Sequence, residues 1–217
     1  MALADFIGRY WAGAETIYGV IIAMTFTSVL RGYPRVLDLV LARTIYAALF
    51  SCIAWGLADG LFYFWERSYL IRQENRIIEL SKSAETGPAV ALVGEQLDDT
   101  ILRNIPGEER LQLYQKLVLF LSGVNTRRQL TAIDGSIIVL GTLIRSAAAG
   151  AIVVTPLFLV PDAELGLRIS NLLGVLLLFG VGYVRALNRD LPSRIANGVG
   201  ASLIGIVIAV ITIALGG

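Results

Sequence analysis

Residues 43–88 read RTIYAALFSCIAWGLADGLFYFWERSYLIRQENRIIELSKSAETGP. From Arg43 to Trp65 the stretch is apolar and long enough to cross a bilayer, whose hydrocarbon core of about 30 Å takes roughly 20 residues of helix. No breaker follows. The chain runs on through Glu66, Tyr69, Ile71, Glu74, Ile77, Ile78 and Leu80, with apolar and charged positions recurring at helical spacing. One helix is therefore expected to leave the membrane and continue in water until Thr86-Gly87-Pro88 stops it.

Four more stretches can span: Tyr10 to Leu30 before this one, then Ile133 to Val160, Leu167 to Leu187 and Ile195 to Leu215. The fold class expected is an all-α integral membrane protein with five transmembrane helices. Composition agrees, since 56% of the 217 residues are hydrophobic and 16% charged, against about 45–50% and about 25% in soluble domains. Asp5, Arg9 and Glu15 interrupt the first apolar stretch, so it reads as a retained helix and not a cleaved signal. The segments follow as residues 1–65 with helices one and two, 66–132 as an inserted subdomain, and 133–217 with helices three to five.

Orientation follows the Lys/Arg bias. Nine basic residues lie between Arg67 and Arg128, and Arg185, Arg189 and Arg194 fall on the same side. Arg31, Arg35, Arg43 and Arg168 fall on the other. The N-terminus and the 66–132 segment are expected in the cytoplasm and the C-terminus outside, in the cell (inner) membrane.

Within the insertion, the continuation of helix two is expected to be followed by a helix over Ala89–Asn104, with apolar Val90, Val93, Leu97, Ile101 and Leu102. After a break at Pro106-Gly107, a third covers Glu108–Leu121, with two acids in its first turn where the helix dipole favours them. Leu117–Val124 is too short to span, and reads as the end of an amphipathic helix lying on the membrane or a partner helix. This makes a cytoplasmic three-helix insertion.

Several functions fall away at this stage. A net charge of +1 and the lack of a basic tail argue against a nucleic-acid partner. The chain has no histidine, and its one cysteine, Cys52, has no visible base, so no enzyme activity is expected. Ionisable groups within spans mark function by default. Glu15 and Asp59 lie at matched depth on antiparallel helices, roughly 6–10 Å below the inner boundary, where they can share a cation or a proton. Arg145 lies near mid-bilayer, roughly 18 Å in, and is expected to pair with one of them. Ser146 to Ala151 in helix three and Gly198, Gly200 and Gly205 in helix five read as close-packing faces. Gly174, Gly180 and Gly182 loosen helix four, and Pro156 should kink helix three.

Five spans with a helical insertion growing out of helix two resemble the vacuolar iron transporter (VIT) family. Glu15-Thr16-Ile17 looks like that family's Asp-Gly-Ile motif in helix one. Ala54-Trp55-Gly56-Leu57-Ala58-Asp59 is similar to its Ser-Met-Gly-Leu-Gly-Glu-Tyr motif in helix two, with Trp55 at the methionine position and Asp59 at the acid. Gly150 through Pro156, and the C-terminal Ala214-Leu215-Gly216-Gly217, are similar as well. The resemblance implies a homodimer that moves Fe²⁺ or Mn²⁺ from the cytosol in exchange for protons, with the ion as cargo and no tightly bound cofactor. It places Glu15 and Asp59 in the transport pathway, and Glu74, Glu79, Glu95, Asp98, Glu108 and Glu109 as cytoplasmic metal ligands; Arg145 joins the pathway residues through its depth in helix three and not through the resemblance. Glu74 and Glu79 are five apart, which turns them off a common helical face; only Glu95 and Asp98 keep a three-residue step. Nine acids in the insertion face nine bases. The alternative expectation is a membrane scaffold of the same fold that does not transport.

Overall fold

A computed structural model describes residues 3–31, 37–83 and 85–214. Arg35 and Gly216–Gly217 lie outside the described residues, as do the side chains of Asp5, Arg9 and Arg31. The elements in chain order are α1 (Leu3–Arg31), α2 (Leu37–Ser81), α3 (Gly87–Leu97), a 3₁₀ turn (Ile101–Asn104), α4 (Gly107–Leu121), α5 (Ala132–Val154), α6 (Pro156–Leu159), α7 (Ala163–Arg185) and α8 (Leu191–Ala214).

Five stretches are long and apolar enough to cross a membrane: Gly13–Leu30, Val40–Ser81, Ala132–Leu159, Ala163–Arg185 and Leu191–Ala214. That is the signature of an integral membrane protein. At about 1.5 Å per residue, α2 is about 68 Å long, more than twice a bilayer core. Its charged second half therefore cannot share the lipid phase with its apolar first half.

The chain divides into two compact units, Met1–Phe64 with Ala132–Gly217, and Trp65–Thr131. In the first, α1 is the central helix. Ala14, Glu15, Val20, Ala23, Met24, Thr27, Ser28 and Leu30 are all buried, and α1 packs against α5, α7 and α8. The helical path breaks at Gly8, whose φ of 80° is open to glycine at little cost. The core joins Val20, Met24 and Leu30 to Cys52 of α2, Val153 of α5, and Leu167 and Leu178 of α7. Small residues set the spacing. Gly19 lies against the Ser146 backbone, Gly150 against Cys52 Sγ, and Gly174 against Met24. A Cβ on Gly56 would stand 2.7 Å from Leu143 Cα.

Polar side chains then bond carbonyls across helices. Thr142 donates to Gly56 O at 2.9 Å, Ser170 to Val153 O at 2.7 Å and Ser202 to Val175 O at 3.1 Å. Pro156, which has no N–H to continue a ladder, opens α6 directly after α5 ends.

The second unit has its own core: Ile77 of α2, Ala89 and Val93 of α3, and Tyr114 and Val118 of α4. Asn75 clamps the returning chain at both ends of its amide. It donates to Arg127 O at 2.8 Å and accepts from Arg127 N at 2.7 Å.

The helix expected over Ala89–Asn104 is two pieces. α3 stops at Leu97, and a separate 3₁₀ turn covers Ile101–Asn104. The reason is local polar competition for the backbone. Thr100 donates to Leu97 O at 2.6 Å and accepts from Leu102 N at 3.3 Å, which ends one element and starts the next.

Candidate functional site

α1 and α2 bring Glu15 and Asp59 together. Glu15 is fully buried. Its Oε1 accepts a hydrogen bond of 2.8 Å from Tyr63 Oη, and the Asp59 carboxyl lies within hydrogen-bonding reach. Glu15 Oε2 is buried and takes no bond from an ordinary donor among the described residues. The Trp55 indole N–H donates to Asp59.

Helical periodicity explains the assembly. Trp55, Asp59 and Tyr63 recur every four residues on α2, so all three share one stripe. On α1, Trp11, Glu15 and Tyr18 follow at steps of four and three and also share one stripe. Two aromatic contacts join the stripes, Trp11 with Tyr63 at 6.1 Å and Tyr18 with Trp55 at 6.0 Å between ring centres. The neighbouring positions of α2, Gly56 and Gly60, admit α5 at backbone distance, Gly56 against Leu143 and Gly60 against Val139.

Tyr63 is the residue that motif reading missed. Its signal was the four-residue step from Asp59. Trp55 was noted for its place in a motif, whereas its hydrogen bond is what ties it to the site.

Arg145 is exposed on α5, on the same side of the helix as exposed Ala148 and Ile152. Tyr63 and Trp55 are among the groups that hold the two acids.

The acids of the second unit have separate environments. Glu74 pairs with Arg127 Nη1 at 2.8 Å. Asp98 takes Arg110 Nε at 3.3 Å and accepts from Tyr114 Oη at 2.9 Å. Burial, and then the bond to Asp98, push the Tyr114 phenol up from its ordinary range. Glu79, Glu95, Glu108 and Glu109 are exposed, the last two in the first turn of α4. Among the described residues no three Asp, Glu, Cys or His side chains gather closely enough to hold a metal ion.

Chemically, the intramembrane group brings the buried Glu15 together with two half-buried oxygen-bearing side chains, Asp59 and Tyr63. Two adjacent carboxylates repel, so a proton or a cation between them is favoured. Oxygen donors of this kind suit hard or borderline divalent ions.

No family model, curated protein or solved structure matches this chain.

Proposed function

We propose that this protein is a membrane transporter of the vacuolar iron transporter type, which carries a divalent metal cation, Fe²⁺ or Mn²⁺, through the Glu15–Asp59 pair in exchange for protons. One observation carries the reading: a fully buried glutamate on the central helix of the spanning unit, with one oxygen lacking an ordinary donor and a second carboxyl in reach. Acids placed this way in a span are costly unless they do something.

Charge accounting supplies the coupling. With one proton between them the two acids carry a single negative charge. A divalent ion that displaces that proton leaves the site neutral, so loading on one side releases a proton there and unloading on the other recovers one. Tyr63 orients Glu15 and offers its phenol oxygen to the ion. The Lys/Arg bias assigns the N-terminus and residues 65–131 to the cytoplasm and the C-terminus to the outside of the cell membrane. A homodimer is part of the same reading.

The second reading is a scaffold with this fold and no flux. It draws on the inserted unit, where Glu74 and Asp98 are held in ion pairs with arginines.

Full-length chain in sealed proteoliposomes, with Mn²⁺ outside and a pH dye inside, separates the two. Transport predicts Mn²⁺ entry with proton movement the other way, reduced to background by Asp59→Asn and by Glu15→Gln. Equal flux in the wild type and both variants removes the pathway, and no flux in the wild type selects the scaffold.

A further inference from the structure

Several hydroxyls on the spanning helices are spent on the carbonyl one turn behind them. On α5, Ser136 donates to Ala132 O at 3.0 Å and Thr142 to Ile138 O at 3.0 Å. On α1, Thr25 donates to Ile21 O at 2.9 Å. Ser146 of α5 departs from that habit. It is fully buried, yet its Oγ has no hydrogen-bond partner among the described residues. A hydroxyl left open in an apolar interior is costly unless something fills it. Ser28 is open in the same way, but it lies thirteen residues beyond Glu15 on α1. Ser146 lies beside the acids.

Its backbone packs on Gly19, one turn after Glu15 on α1, and its Cβ packs on Gly56, three residues before Asp59 on α2. Gly60 meets Val139, Gly56 meets Leu143 and Cys52 meets Gly150, so α2 and α5 run antiparallel. Side chains tilt toward the N-terminus of their own helix. Asp59 therefore leans toward the level of Gly56, while Ser146 leans back toward the level of Asp59. Glu15 Oε2, the other open oxygen of this region, belongs to a residue one turn from Gly19, about 6 Å in rise. An open hydroxyl and an open carboxyl oxygen thus border the same three-helix junction.

We infer that Ser146 is a further ligand for the divalent cation taken up by Glu15 and Asp59, its hydroxyl oxygen completing the oxygen set on the side away from Tyr63. This rests on the transport reading of the acid pair and adds a residue to it. Hard divalent ions accept neutral oxygens beside carboxylates. A neutral ligand also leaves the charge count of the pair unchanged, so the exchange of cation for proton is preserved. Ser146 stands midway along the Ala132–Leu159 span, whereas Glu15 stands near one end of Gly13–Leu30. The hydroxyl is therefore placed on the way from the edge of the bilayer toward its centre.

The test is calorimetric titration of the full chain in detergent with Mn²⁺ and with Cd²⁺. The Ser146 variants are built on Cys52→Ala, which removes the one native thiol and should bind as the unsubstituted chain does. Ser146→Ala, a smaller residue at a packed contact, should weaken Mn²⁺ binding about fivefold, the effect of one neutral oxygen contact. Ser146→Cys should weaken Mn²⁺ similarly and strengthen Cd²⁺, because sulfur favours the softer ion. A residue that only packs cannot reverse the preference between two ions. Equal weakening of both ions by Ser146→Ala and Ser146→Cys assigns Ser146 to packing and overturns the ligand. Binding that Asp59→Asn abolishes but both Ser146 variants leave unchanged removes Ser146 and keeps the acid pair. No binding of either ion by the unsubstituted chain removes the pair, and Ser146 with it.

Discussion

Tyr63 gives Glu15 a hydrogen bond of 2.8 Å across the α1–α2 contact. A carboxyl at zero exposure depends on such a donor, because water does not replace it. Tyr63→Phe should therefore lower the stability of the full chain by about 1–3 kcal/mol, the usual worth of a hydrogen bond to a charged or buried acceptor. Glu15→Gln weakens the same bond by making its acceptor a neutral amide oxygen, and should be milder. In the double variant the two losses should not add, since both act on one bond. Thermal unfolding in detergent reads all three; additive losses would mean that Tyr63 stabilises the helix pair through packing alone. At this scale the sequence was partly legible. Glu15 and Asp59 stood out as acids in apolar surroundings at matched depth. The donors did not, because a tyrosine or tryptophan in a span is common and only contact with an acid distinguishes it.

Helices pack here by close backbone approach, and glycines with opposite surroundings test that. Gly56 of α2 lies against Leu143 of α5, where an added Cβ would meet Cα at 2.7 Å. Gly180 of α7 has nothing within 4 Å of that position. Gly56→Ala should cost about 1–3 kcal/mol by overpacking. Gly180→Ala should be neutral or gain up to about 1 kcal/mol from helix propensity. Loss of stability in both would show that the glycines serve helix flexibility and not spacing. The element pattern itself was legible: the unbroken periodicity through Trp65 predicted the long helix that the structure shows as α2, Leu37–Ser81. The end of α3 was not. Val93, Leu97, Ile101 and Leu102 carry helical spacing past Leu97, and the local bonding of Thr100 overrides it.

For the whole molecule, the question is which acids engage a metal ion. Six in the inserted unit were candidates by resemblance. Two of those, Glu74 and Asp98, stand in ion pairs, and Glu108 and Glu109 are exposed in the first turn of α4, where the helix dipole alone favours them. Calorimetric titration of the full chain with Mn²⁺ should give binding that Asp59→Asn abolishes and that the double change Glu108→Gln, Glu109→Gln leaves within about twofold, a difference of about 0.4 kcal/mol. The opposite pattern would move the metal site out of the membrane and into the inserted unit.

Apolar length alone determined the spans, since a helix must cover the bilayer core and satisfies its own backbone while doing so. Helical spacing alone carried α2 beyond Trp65. Which acids meet could not be read this way. Glu15 and Asp59 are 44 positions apart, and their contact depends on the rotation of α1 and α2 about their axes, which the glycine contacts with α5 fix. Depth in a membrane is a one-dimensional property of sequence, whereas facing is set by packing between helices.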